Sequence, residues 1–349
     1  MVPTRRRVCA LLGSAALAGC SDALDADSEA DGETGTPAEE PTPSGEPTAT
    51  EEPTPTETDT PVEEATPEEP DLRDRESELP ELIRESLTAA RDRIDAAVEM
   101  YADSAGGDPD AGTPLASVSL SAEPDRIDIS RELSTANDRL SGATSRASRR
   151  RIDDDRFQRL TGLLGAEIGT LRAAVDAHQR LARGYRSAES VVELADQRAY
   201  RLAESNHEEL GERRSETTDA IETARTALEP IEAASGAERT ALQTGGHGDL
   251  LDRLEAGAAT LGTYHDALEA VPSAFSDVDD AEGELGNDDE RAFSLSTLAS
   301  EDLEAAESTI ESADPPASVE PVESSLLGPI RETLETARAV RDEAAEGID

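Results

Sequence analysis

The sequence predicts an all-α fold: an elongated antiparallel helical bundle or coiled-coil-like array of about six to seven helices, preceded by a disordered stalk. Three observations carry this. From residue 73 onward, apolar residues recur at alternating spacings of three and four, which places them on one helical face. Aromatic residues are only 2% of the chain and Trp is absent, so an aromatic-lined α/β cleft of the kind solute-binding proteins use is not expected. Before residue 73 the periodicity is missing, and a Thr, Pro and acid tract takes its place.

The chain opens with a basic cluster, Arg5, Arg6 and Arg7, followed by an apolar stretch from Val8 to Ala18. A helix of that length spans roughly half of a ~30 Å hydrocarbon core, too little for a membrane span and right for the apolar part of a signal peptide. Leu17, Ala18, Gly19 and Cys20 close it. In this context Leu17-Ala18-Gly19-Cys20 resembles the lipobox of secreted lipoproteins, and Thr4-Arg5-Arg6-Arg7-Val8 resembles a twin-arginine export signal. The resemblance implies removal of residues 1–19 and lipid on Cys20. The expected location is the outer face of the cell membrane, with lipid as the membrane anchor. Cys9 is the only other cysteine and would leave with the signal, so no disulfide or Cys-ligated metal is expected in the mature chain.

Residues 20–72 form the second segment, the lipidated Cys followed by an acidic Thr/Pro-rich stalk. From residue 21 to 72 there are 18 acidic residues and no basic one. Pro and charge repulsion extend such a chain, and nothing in it can be buried.

The third segment, 73–349, holds the helices. Ile83, Leu87, Ala90, Ile94, Ala97 and Tyr101 mark the first face, ended by Gly106-Gly107-Asp108-Pro109. Leu115 to Ser121 alternates apolar residues with Ser; without a partner strand it reads as an extended loop. Ile129, Leu133, Ala136, Leu140, Ala143 and Ala147 mark the next helix. The run Arg149-Arg150-Arg151 before Asp153-Asp154-Asp155 reads as a solvated turn with locally compensated charge; the alternatives are an anion or partner site, or one continuous helix.

The longest pattern runs from Phe157 through Leu164, Ile168, Leu171, Val175, His178, Tyr185 and Val192 to Ala199 and Leu202 without a Pro, with Gly184 as the expected kink. Ile221, Ala224, Leu228 and Ile231 mark a further helix disturbed at Pro230, and Gly245-Gly246-His247-Gly248 is a break. Leu251, Leu254, Ala258, Leu261, His265 and Leu268 form another seam, ending near Pro272 or continuing kinked to Leu285. Ala299, Leu303, Ala306 and Ile310 form the next, and Ile330, Leu334, Ala337 and Ala344 the last.

Charge narrows the partners. The net charge is -47, with 79 acidic residues against 32 basic ones, all of them Arg. Residues 73–349 hold 61 acids and 29 arginines, a formal charge of -32. Nucleic acid is an improbable partner for such a field. The composition resembles that of proteins from halophilic archaea, where molar salt shortens the Debye length to about 3 Å and lets carboxylates crowd the surface.

Of the four histidines, His178 and His265 fall on apolar seams, and His265 with Glu269 stands at helical i, i+4 spacing. They are the candidates for a shared metal or proton site in the core, against the reading that each only fixes helix register. No catalytic motif is present, and no cofactor is expected. The expectation is a lipid-anchored surface protein whose helical domain has a structural role or binds a cell-surface protein. The alternative is a helical metal-dependent enzyme or metal-uptake component.

Overall fold

A computed structural model describes residues 72–349 apart from positions 110, 153, 243, 244 and 349. The signal residues Arg5, Arg6, Leu17, Ala18 and Gly19, the lipidation candidate Cys20 and the stalk up to residue 71 lie outside the described residues. Every regular element among the described residues is helical. In chain order they are α1 (Leu72–Glu78), α2 (Glu81–Ser104), α3 (Pro114–Ser117), α4 (Arg126–Arg149), α5 (Asp155–Asp196), α6 (Tyr200–Glu232), α7 (Gly236–Arg239), α8 (His247–Ala267), α9 (Val271–Glu284), α10 (Asp289–Glu311) and α11 (Glu320–Ile348), with a 3-10 turn at Ala317–Val319.

The seams pack as their spacing dictates. The apolar positions of α2 and α4 named above are all buried, and the two helices run antiparallel. Arg93 in the middle of α2 pairs with Glu132 in the first half of α4, and Ser86 near the start of α2 bonds Arg146 near the end of α4. α5 and α6 form the central hairpin, with Arg180 of α5 on Glu216 of α6 and Arg159 on Glu238 just beyond it. α10 and α11 form a third antiparallel pair, in which Arg338 meets Glu304 and Arg331 meets Glu307 and Glu311. α8 lies against both α5 and α6. These surface pairs contribute about 0–1 kcal/mol each, so burial of the seams carries the fold. No helix among the described residues is long and apolar enough to cross a membrane.

The unbroken pattern from Phe157 to Leu202 is two helices. α5 ends at Asp196, and Arg198 takes the left-handed conformation (φ 60°). The amide of Ala199 donates to the carbonyl of Leu194 and that of Arg198 to Ala195, the paired bonds of a Schellman ending. Tyr200 then bonds Asp279 of α9, and Leu202 is 61% exposed, off the core it was expected to join. The turn after α4 is built the same way: Arg151 has φ 58°, and Ile152 donates to the carbonyl of Ala147. Glycine usually occupies this position because it has no Cβ to clash, and Arg in its place hides the stop from a sequence reading.

Other boundaries differ for related reasons. α1 begins one residue before the expected start, with Leu72 buried. Pro230 sits in the last turn of α6 and does not end it, so the helix expected at Ile221 is the second half of α6. α8 stops at Ala267, and Pro272 opens α9 in its first turn, where a missing amide costs nothing. Gly184 lies inside continuous α5; a Cβ there would stand 2.5 Å from Leu261 Cδ2, so this glycine serves the close approach of α8.

Candidate functional site

His178 is fully buried in α5 and clamps the segment that follows α2. Nε2 lies 3.0 Å from the carbonyl oxygen of Ser119, and Nδ1 lies 3.0 Å from the hydroxyl of Tyr101. A carbonyl can only accept, so Nε2 carries the proton and Tyr101 donates to Nδ1. Arg253 of α8 donates to the carbonyls of Leu115, Ala116 and Val118 along the same segment. Ser318 Oγ accepts from the amide of Leu120, and the Ser318 carbonyl accepts from Ser121 Oγ. The expected extended loop at 115–121 therefore begins as the single turn α3. Its polar backbone is satisfied by side chains from α5 and α8, while Leu115, Val118 and Leu120 are buried. Burial, with Arg253 nearby, pushes the His178 pKa down to about 4. Tyr101 is pushed well above its ordinary value by burial and stays protonated.

His265 is not a core residue. It is half-buried, stacks on His207 of α6 at 4.5 Å between ring centroids, and bonds Asp266 through Nδ1 at 2.9 Å. Its backbone carbonyl meets His207 Nε2 at 2.9 Å. Glu269 is exposed and lies beyond the end of α8, so the i, i+4 pair with His265 does not form on a helix. The shared core site expected for His178 and His265 is thus not assembled: the two rings have different partners. Among the described residues no group of three or more His, Cys, Asp or Glu side chains is placed to hold a metal ion.

A different pair of titratable groups is buried together. Glu167 of α5 is fully buried, and His247, the first residue of α8, is 5% exposed. Glu167 Oε1 lies 3.5 Å from His247 Nε2, close enough for charge attraction, but neither ring nitrogen has a hydrogen-bond partner. His247 also lines a cavity of about 690 Å³ between the end of α6, α7 and the start of α8. The signal for Glu167 is present in the sequence, since a carboxylate stands at core spacing between Leu164 and Leu171. The signal for His247 is not, because flanking glycines place it in a break where no periodicity operates.

Nor does the turn 149–151 gather into a site. Its three arginines are exposed, and the neighbouring Asp154 caps α5 through the amide of Phe157 and pairs with Arg75. That guanidinium holds the Asp154 carboxyl below its ordinary value. Comparison of the chain with protein-family models, with curated proteins and with solved structures gives no match.

Proposed function

We propose that this chain is a lipid-anchored protein of the outer membrane face, whose helical domain acts there as a structural or partner-binding module. The observation that carries the reading is the order of features at the start of the sequence. Arg5, Arg6 and Arg7, a short apolar stretch and Leu17-Ala18-Gly19-Cys20 are followed at once by a tract with 18 acidic residues and no basic one. A tether and an extended spacer of this kind suit a domain displayed away from the membrane. Support also comes from the helical domain, a packed bundle in which the buried polar network around His178 holds a loop in place.

The test is Cys20→Ser in the native host, read by membrane fractionation and by mass spectrometry of the mature amino terminus. The Ser variant is expected in the medium or unprocessed, because Cys20 is the only lipid acceptor the reading allows. A Ser variant that stays in the membrane at the mature size overturns it.

A further inference from the structure

The cavity between α6 and α8 carries chemistry that the fold does not use. Its apolar side is made by Leu228, Ile231 and Leu242, all buried. Facing them is the backbone from Gly245 to Gly248. α8 starts there with Gly246 in the left-handed conformation (φ 82°), an N-cap residue that has no side chain to cap the first turn. The first amide to bond back is that of Leu250, to the carbonyl of Gly246. The amides before it have no acceptor inside the helix, and partial positive charge collects at such an end.

A bare helix start is a weak signal, but His247 adds an independent one. Its ring is almost fully buried in the cavity wall, and both nitrogens lack hydrogen bonds. Buried polar atoms are nearly always partnered, so an idle imidazole marks a missing partner. Nε2 looks to Glu167, which leaves Nδ1 as the nitrogen for a ligand. At the rim stands Arg239, held at its root by a bond from Nε to the carbonyl of Ala234. A guanidinium fork matches a carboxylate in shape and charge. Glu232 is the acidic residue on the same rim. Cavities of about 300–1,000 Å³ are usual for small-molecule sites, and this one falls within that range.

We propose that the cavity binds a small organic monocarboxylate with an apolar tail. The carboxylate sits on the first-turn amides of α8, His247 and Arg239, and the tail lies along Leu228, Ile231 and Leu242. A cation would meet amide and guanidinium donors, and a neutral hydrocarbon would leave them unanswered. The site does not depend on how the chain is anchored.

Octanoate, octanol and octylamine titrated into the full chain in molar NaCl provide the test, by calorimetry and by amide chemical shifts. Octanoate is expected to bind saturably, at least tenfold tighter than octanol, with the largest shifts at Gly245, Gly246, His247 and Gly248. Arg239→Gln, an exposed change that leaves the core intact, is expected to weaken octanoate at least fivefold and to leave octanol unchanged; His247→Phe is expected to weaken it too. Equal binding of octanol, tighter binding of octylamine, shifts elsewhere in the bundle, or octanoate affinity unchanged in Arg239→Gln each overturns the assignment.

Discussion

Acid should destabilise this protein through one side chain, His178, and the size of the effect follows from its surroundings. The ring is fully buried, and its pKa is pushed down from 6.5 to about 4, mainly by burial. The Ser119 carbonyl at Nε2 opposes the shift and the like charge of Arg253 adds to it, while Tyr101 is a neutral donor that a protonated Nδ1 cannot accept from. Well above pH 6.5 the ring is neutral in both folded and unfolded chains and stability is unaffected. As pH falls below that value the unfolded chain takes up the proton first, so stability is lost until the folded ring titrates near pH 4. The full loss is about 3 kcal/mol, most of which has appeared by pH 4.5.

Surface carboxylates titrate in part of the same window and act in the opposite direction, because protonating them relieves repulsion. They are common to wild type and variant, so the measurement is a difference. Urea unfolding at constant molar NaCl, at pH 7 and 4.5, is compared between wild type and His178→Phe. At pH 7 the variant should be less stable, since the Tyr101 hydroxyl and the Ser119 carbonyl each lose a buried partner at about 1–3 kcal/mol apiece. Between pH 7 and 4.5 the gap should narrow by about 2–3 kcal/mol, because only the wild type has a ring to protonate. A gap that stays constant across those two pH values refutes the buried neutral imidazole.

Three further outcomes follow from the packing and the charge. Residues 73–349 carry a formal charge of -32 on Ala-rich seams, so the domain is expected to lose most helical circular dichroism below about 0.1 M NaCl and regain it above about 1 M; an unchanged signal and melting temperature across that range defeats this. Arg151→Gly removes a Cβ from a left-handed position and should stabilise by up to about 1 kcal/mol, seen as a melting temperature a few degrees higher. Arg253→Met strips the donors from the carbonyls of Leu115, Ala116 and Val118, at an expected cost of about 2–3 kcal/mol; hydrogen exchange should quicken at 115–121 first.

By itself the sequence determined the class of fold and most of the core. Ile83, Leu87, Ala90 and Ile94, or Ile129, Leu133, Ala136 and Leu140, are buried because a spacing of three and four leaves one face to hide, and that relation is local. Local chemistry also marked breaks where glycine or proline stood, at Gly106-Gly107 and Gly245-Gly246. What the tertiary structure decided is where a pattern stops without such a marker. The stops at Arg151 and Arg198 use a residue that disfavours the conformation it adopts, and at Arg198 the return of α6 along α5 and the contacts of Tyr200 and Arg198 with Asp279 compensate. Tertiary structure alone also chose the fate of each histidine. A residue on an apolar seam is known to be buried, but its partner lies 59 or 77 positions away for His178, and nothing local encodes that distance. The pairing of Glu167 with His247 arises only when α8 is laid against α5, because the two residues stand far apart in the chain, whereas the cavity beside them is lined by the turn that carries α6 into α8.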